Sequence, residues 1–600
     1  MQLTDFDAAP NLVRLFLDRA DELGERPFLS AKVGRQWQAL SWQEAARQVC
    51  LLAEALRGLG LSDGDRVMLV AENRPEWAIA DLAIMAAGCV TTPAYTTNTE
   101  GDHRHILNNS GATAAIVSTP RLAEPLLAAL VRSGGARHLI AIEPLRTGQQ
   151  GSFATHAWSD LIAGDAAAAR RAVDARIAGI GRRDPACIIY TSGTSGAPRG
   201  VLLHHGAILR NVDGAAEALA RDFGWEDERF LSFLPLSHAL EHTGGLFLPI
   251  GLGAEIWFAE GLDKLATNLE EARPTFMIVV PRLFEVMRGR IITQLEKQGR
   301  LARFLLGQAL ALAERHAAGT RRAGDWALEK LLEMTLRPKI RARFGGRIKA
   351  LVSGGAPLNP EVGAFFQSMG LTMLQGYGQT ESAPVISVNF PSAGIKLDTV
   401  GQPLKGVEVR IADDGEILVR GELVMLGYWQ DPAATAQTVV DGWLHTGDIG
   451  HLDARGRIVI TDRKKDIIVN DKGDNIAPQK LEGMLTLQPE IAQAMVSGDK
   501  RPYVVALVVP DAEWTQRWAR DNGETFDPVA LRELPAYRGA IRAALDRTNK
   551  DLSVIEKVRQ FAFADEAFAI DNGEMTPSLK IRRHAIRQRY TERIDGLYRA

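Results

Sequence analysis

Six hundred residues, 46% hydrophobic and 24% charged, describe a soluble globular chain too long for one core, so two or more domains are expected. A formal net charge of −3 gives no global pull toward nucleic acid. Cys50, Cys89 and Cys187 lie far apart and argue against a disulfide framework or a CxxC metal site. No run approaches the roughly 20 apolar residues that span a bilayer. Met1–Asp7 has neither a basic start nor an apolar signal core. A cytoplasmic protein is expected, with peripheral membrane contact left open.

From the N-terminus, Asn11–Leu23 carries apolar residues at helical spacing. Val67–Val70 and Ala114–Val117 read as short buried strands, with an alanine-rich helix, Trp77–Ala87, between them. This is βαβ character and predicts a mainly parallel sheet. Residues 144–183 are polar, glycine-containing and alanine-rich, and are expected to wrap the surface. Then the apolar run Cys187–Tyr190 enters Thr191-Ser192-Gly193-Thr194-Ser195-Gly196-Ala197-Pro198-Arg199-Gly200. Glycines let a backbone turn back sharply, and successive N–H groups in such a loop form an anion nest. Thr191, Ser192, Thr194 and Ser195 add donors and Arg199 a fixed cation, which suits a polyphosphate. Gly200 and Val201 follow the cation, so the loop is not a Walker A sequence; a flexible linker would lack the flanking strand and the single cation.

Beyond the loop, Phe230–Leu236 reads as a strand running into Ser237-His238. A glycine-rich apolar stretch, Thr243–Ile256, and a strand at Thr275–Val280 follow. Residues 282–343 are helical, with apolar positions such as Leu301, Phe304, Leu305 and Leu312, broken at Gly319 and Gly324. Val352–Pro357 is a strand ending in a turn, and Val407–Arg420 and Arg457–Thr461 alternate as antiparallel strands do. The dense charges Asp462-Arg463-Lys464-Lys465-Asp466 and then Lys472-Gly473-Asp474 mark a change of texture. The last ~130 residues suit a separate small α+β domain, with strands at Tyr503–Val509 and Phe561–Phe563 and one basic helix, Ile581–Tyr598.

Five further stretches accompany the loop: Ser353-Gly354-Gly355-Ala356-Pro357, Gly376-Tyr377-Gly378-Gln379-Thr380-Glu381, Trp443-Leu444-His445-Thr446-Gly447-Asp448, Asp462–Asp466, and Thr576-Pro577-Ser578-Leu579-Lys580. In this order and at these separations the chain resembles the adenylate-forming superfamily. Pro281–Glu285, the helical insert after it and Gly473–Gln479 refine the likeness to long-chain fatty acyl-CoA synthetases. The resemblance implies an α/β fold: a large N-terminal domain of layered α/β subdomains plus a β-rich subdomain over 1–462, a hinge over 463–468, and a small mobile α+β C-terminal domain over 469–600.

It also implies an activity. A fatty acid carboxylate attacks the α-phosphorus of ATP and expels pyrophosphate; the thiol of CoA then displaces AMP. Charge dominates both halves, so positioning and electrostatics should carry catalysis. By the same resemblance Thr191–Gly200 holds the β- and γ-phosphates, with Arg199 where the family usually has lysine. Gly354, Gly355 and Ala356 line the base, Tyr377 offers it a flat face, and Gly376 and Gly378 permit close approach. Glu381 and Thr194 match the Mg²⁺ ligands, and Thr380 donates to the α-phosphate. Asp448 and Arg463 hold the ribose. Lys580 bridges carboxylate and α-phosphate, and Lys465 is the hinge that withdraws it and presents Gly473 to pantetheine. His238 lies near the substrate carboxylate, and Thr243–Pro249 suits an acyl tunnel.

Competing readings stand beside these. The lesser readings are Tyr377 as a core aromatic, which a Gly-Tyr-Gly turn suits poorly, Glu381 as a surface residue outside its motif, and Asp448 as a turn residue after Gly447. Lys580 could be one more member of a basic helix with Arg582, Arg583, Arg587 and Arg589, and Thr243–Pro249 could be core. His238 and His242 share a helical face, but no third ligand makes a zinc site. A fatty acyl-AMP ligase or an adenylation enzyme loading a carrier protein, or a non-catalytic nucleotide-binding scaffold, is the alternative function, and homodimerisation is left open.

Overall fold

The computed structural model describes residues 5–145, 153–191, 198–297, 299–317, 320, 322–576 and 579–599. Ser192, Gly193, Thr194, Ser195 and Gly196 of the hydroxyl-rich loop, Pro577 and Ser578, and the expected break at Gly319 lie outside the described residues.

Two large sheets build the N-terminal lobe. The first has eight strands, in the order Gly427–Tyr428, Arg199–His204, Pro185–Thr191, Val90–Pro93, Arg66–Val70, Ala114–Val117, His138–Ala141 and Ala154–Ala157. From Pro185–Thr191 to Ala154–Ala157 its pairings are parallel. Strands covered on both faces need continuous apolar runs, and Val67, Met68, Leu69 and Val70 are fully buried. Helix Leu12–Leu23 begins where the Asn11 side chain accepts from Arg14 N–H; the Asn11 amide donates to the carbonyls of Ile177 and Ile180.

The second sheet has nine strands, and at its centre Ala350–Ser353 pairs in parallel with Phe276–Val279 and with Met373–Gly378. A smaller antiparallel sheet carries Trp443–Leu452 between Glu416–Arg420 and Ile458–Arg463. The C-terminal lobe holds a short hairpin, Ile468–Val469 with Asn475–Ile476, and a three-stranded sheet with helices. Motif residues follow the carboxyl ends of Pro185–Thr191, Ala350–Ser353 and Met373–Gly378, where open α/β sheets bind ligands.

Several expectations need correction. Residues 144–183 do not merely wrap the surface: Ala154–Ala157 is an edge strand, and helix Ala166–Ile177 buries Ala169, Val173 and Ile177. The strand expected over Phe230–Leu236 stops at Ser232. The stretch from Thr243 opens inside a π-helical turn, His242–Phe247, continues as helix Leu248–Leu252, and is closed by Gly253 at φ 64°. Of the apolar positions in the helical insert, Leu305 and Leu312 are buried, but Leu301 and Phe304 are 72% and 58% exposed. The basic C-terminal helix is two, Arg583–Arg589 and Thr591–Gly596. Tyr590 interrupts it: its buried ring sits in the lobe's core, and its hydroxyl accepts from Asp565 N–H.

Candidate active site

Thr191 and Arg199 close the mouth of the hydroxyl-rich loop as a cross-strand pair in the antiparallel ladder of Pro185–Thr191 and Arg199–His204. The carbonyl of Pro198 is 2.8 Å from His105 Nε2, which ties down the loop's exit. Arg199 remains half exposed, 3.9 Å from Asp431, with its guanidinium 5.6 Å from the centre of the Tyr428 ring.

The Gly-Tyr-Gly turn sits at the edge where Met373–Gly378 pairs antiparallel with Val385–Val388. Gly378 is there because nothing larger fits: a Cβ would lie 1.8 Å from the Pro384 carbonyl oxygen. Gly376 pairs with Val388. Tyr377 is only 9% exposed and packs with Ile386, Val400 and Ile417, so much of it is core. Its hydroxyl donates to Asp448 Oδ2 across 2.7 Å, and burial pushes its pKa well up. Gly354 donates to the Val279 carbonyl, Gly355 turns the chain at φ 83°, and Ala356 follows them in that turn.

Asp448 is not in a turn. It lies within strand Trp443–Leu452, directly across from Arg463. Gly447, at φ 72°, donates to Glu416 just before it. The Arg463 Nε is 3.4 Å from Asp448 Oδ1. Burial raises the Asp448 carboxyl, against the pull of Arg463 and of the Tyr377 hydrogen bond.

Thr380 and Glu381 form a single 3₁₀ turn after the glycines, fixed by reciprocal bonds between Gln379 and Ser382. Thr380 is buried at 9% exposure. Glu381 Oε1 accepts the Tyr428 hydroxyl at 2.8 Å, while Oε2 carries no hydrogen bond among the described residues. An oxygen donor left free in this way suits a hard cation such as Mg²⁺, which takes one or two protein oxygens and completes its shell from phosphates and water. Thr194, its expected companion, lies outside the described residues. Among the described residues no cluster of three or more His, Cys, Asp or Glu could hold a metal by itself. Tyr428 was not singled out by sequence reasoning; its only signal is an aromatic following glycine, which is weak without its fold partners.

Lys580 enters this cluster from the C-terminal lobe. Its backbone closes a tight loop with Thr576, N–H to Oγ1 and C=O to N–H, and Met575 bridges Ile581. Leu579 just before it holds φ 60° and packs on Leu234, Ile278 and Val280 of the large lobe. The ammonium lies in the field of Arg463, Asp448 and Glu381. Burial foremost, then Arg463, brings its pKa down to about 8. Lys580 thus stands apart from the basic helix that begins at Arg583. His238, whose ring accepts from Leu240 N–H, is also near it: burial and then Lys580 push this imidazole down to about 3, so it is neutral at physiological pH.

Other expected positions fall elsewhere. His242 pairs with Asp81 at 2.9 Å, both fully buried, which takes it out of any shared site with His238. Lys465 sits in the turn after Ile458–Arg463, where Asp466 N–H returns to the Arg463 carbonyl. Gly473, at φ 86° in the Ile468–Ile476 hairpin, is exposed, and its N–H donates to the Asn470 carbonyl within that hairpin. Leu246, Phe247 and Leu248 are buried in the main core, so the apolar run is largely packing; a Cβ on Gly244 would meet Ile278 at 2.3 Å.

Comparison with known proteins adds to this geometry. The family described as AMP-binding enzyme matches residues 16–429, and the AMP-binding enzyme C-terminal domain matches 465–600. A long-chain-fatty-acid–CoA ligase of Mycobacterium bovis is 34% identical, covering 94% of this chain and 92% of its own. Long chain acyl-CoA synthetase 1 of Arabidopsis thaliana is 30% identical, covering 99% and 93%. Among solved structures, the adenylation domain of a carboxylate reductase from Mycobacterium chelonae superposes with a TM-score of 0.77 at 20% identity, covering 99% and 92%. An anthranilate CoA ligase in complex with anthranoyl-AMP gives 0.71 at 19% identity, covering 98% and 99%. At such identities the structural likeness speaks for the fold.

Proposed function

The chain belongs to the AMP-binding enzymes and is an ATP-dependent long-chain fatty acid–CoA ligase working through an acyl-adenylate, and on that premise we propose which of its residues carry the two half-reactions. Relatives named as CoA ligases favour CoA as acceptor over a carrier protein, and an enzyme over a scaffold.

In the first half-reaction two anions must meet, the fatty acid carboxylate and the α-phosphate. Lys580 supplies the positive charge between them, which offsets a repulsion that low-dielectric surroundings strengthen. The supporting observation is that Lys580, carried by the small lobe, shares one field with Asp448, Glu381 and His238 of the large lobe. Asp448 accepts from the ribose hydroxyls, and Arg463 donates to the same sugar. Tyr377, Gly376, Gly378, Gly354, Gly355 and Ala356 enclose the base, and Thr380 donates to the α-phosphate. Arg199 and the loop from Thr191 hold the outer phosphates. Glu381 and Thr194 would hold Mg²⁺, which supplies charge neutralisation on the leaving pyrophosphate. Neutral His238 lines the carboxylate and thiol entrance without adding charge.

For the second half-reaction the small lobe turns about Lys465, withdrawing Lys580 and bringing Gly473 toward pantetheine; hinges absorb such change in a few residues. The acyl chain of the substrate gains about 0.8 kcal/mol for each CH₂ it buries. Lys580→Ala tests the assignment. ATP–pyrophosphate exchange should collapse while thioester formation from supplied acyl-AMP persists; equal loss of both halves would refute the role.

The same reading puts the enzyme in the cytoplasm, at a membrane surface from which it draws acid. No described helix is long and apolar enough to cross a membrane. Leu301, Phe304, Trp326 and Met334 of the helical insert, each more than half exposed beside exposed Arg300, Arg303 and Lys330, suit an anionic bilayer. Unchanged vesicle sedimentation in a Phe304→Ser, Trp326→Ser, Met334→Ser variant would count against this.

A further inference from the structure

Residues 425–429 run between two parts of the phosphate site. The Met425 N–H donates to the Glu381 carbonyl, Leu426 N–H to the Leu202 carbonyl, and Trp429 N–H to the Gly200 carbonyl. Gly427 and Tyr428 pair with Leu202 and Val201, immediately past Arg199. Thr435 Oγ1 accepts the Tyr428 N–H at 2.9 Å, and Trp429 Nε1 donates to the Asn109 carbonyl. A Cβ at Gly427 would lie 2.7 Å from Thr435, so this strand is clamped as well as paired.

From that fixed backbone the Tyr428 side chain reaches both Glu381 and Arg199, the groups assigned above to the metal and the outer phosphates. Its hydroxyl donates to Glu381 Oε1 at 2.8 Å. Its ring lies 5.6 Å from the Arg199 guanidinium, whose Nε is also 3.9 Å from Asp431. A hydroxyl bonded to a carboxylate takes one oxygen and fixes the plane of the other. A flat guanidinium stacks on an aromatic face better than a compact ammonium does. This accounts for an arginine where the resembled family usually has lysine.

We propose that Tyr428 is a positioning residue for the phosphate site, aiming Glu381 at the metal through its hydroxyl and Arg199 at the outer phosphates through its ring. The proposal rests on the reading of Glu381 as a metal ligand. It assigns Tyr428 no bond to substrate. Its effect is pre-organisation: partners that orient a metal ligand typically change metal affinity by 10- to 100-fold when lost.

The test uses full-length enzyme with bound ATP and Mn²⁺ as the probe, read by electron paramagnetic resonance. Tyr428→Phe keeps the ring and removes only the hydroxyl. It should weaken Mn²⁺ binding roughly tenfold and raise the Mg²⁺ needed for half-maximal pyrophosphate exchange in parallel, with an unchanged melting temperature. Glu381→Gln tells the two readings apart. If it weakens Mn²⁺ binding and Tyr428→Phe leaves it within twofold of wild type, the proposal falls and the metal reading stands. If both bind Mn²⁺ like wild type, both fall. If Tyr428→Phe alone weakens binding, the hydroxyl acts through another group and the proposal is overturned.

The ring is tested separately by Arg199→Lys at a half-exposed position. The substitution should weaken ATP binding severalfold in the wild-type background and have no further effect in a Tyr428→Leu background, as a double-mutant cycle requires of coupled groups. Equal effects in both backgrounds would overturn that half of the proposal.

Discussion

The hydroxyl of Tyr377 and the carboxylate of Asp448, 2.7 Å apart, join two sheets: Tyr377 lies in strand Met373–Gly378 of the nine-stranded sheet, and Asp448 lies within the small antiparallel one. The bond leaves the Asp448 carboxylate ordered before nucleotide arrives, with Arg463 on its other oxygen. A pre-ordered acceptor loses less entropy on binding.

Asp448→Ala should therefore weaken ATP about a hundredfold or more, because each hydrogen bond to a charged group contributes roughly 1.5–3 kcal/mol. Tyr377→Phe should do less, but with a recognisable pH signature. Burial already raises the Asp448 carboxyl, and the Tyr377 bond holds it down. Removing that bond lets the pKa climb, so the acid limb of ATP binding moves to higher pH. Calorimetric ATP titrations across pH check this; a limb that stays in place would show that the bond does not tune Asp448.

The Lys580 ammonium gives a second pH dependence. Adenylation needs its charge, and in the free enzyme burial holds it at about 8. Exchange activity as kcat/KM for ATP should fall as pH rises through about 8, since that ratio reports the free enzyme. Bound triphosphate favours the proton, so the alkaline limb of kcat lies higher. Lys580→Arg, which stays charged, should be slower but flat across this range. Linkage has a fixed sign as well. The folded pKa lies below the ordinary 10.5, so the folded chain holds fewer protons between about 8 and 10.5, and stability rises with pH across that window. An alkaline limb shared by wild type and Lys580→Arg would assign it to another group.

What the sequence revealed divides by the range of the interactions. The parallel strands were legible because burial on both faces imposes unbroken apolar runs, as at Val67–Val70 and Ala114–Val117. The first helix was legible through the helical spacing of its apolar residues over Asn11–Leu23, although its Asn11 cap was not. Lys580 and Asp448 were visible only through their motifs. Their meeting depends on the docking of one lobe on another, which no local pattern encodes. Tyr428 escaped because its partners Glu381 and Arg199 are remote along the chain. The Gly-rich run from Thr243 was ambiguous in the sequence, since a buried helix and a lined tunnel have the same composition. The single basic helix failed at Tyr590, whose ring is drawn into a core that helical periodicity does not foresee.

Leu579 carries the last prediction. It holds φ 60°, a conformation that bulky residues rarely adopt, immediately before Lys580. Such strain persists only where surroundings hold it, and here the holding group is the apolar patch of Leu234, Ile278 and Val280. Leu579→Ala keeps the backbone strain and loses the packing. Truncating a partly buried leucine removes roughly 1–2 kcal/mol, which at 1.4 kcal/mol per tenfold is about 5- to 30-fold. That loss should fall on adenylation, because only the docked arrangement uses the contact, while thioester formation from supplied acyl-AMP should hold or improve. Leu579→Gly relieves the strain as well, so it should recover part of the adenylation lost in the alanine variant. Equal slowing of both half-reactions, or full activity in Leu579→Ala, would mean that the Leu579 contact does not hold Lys580 in place.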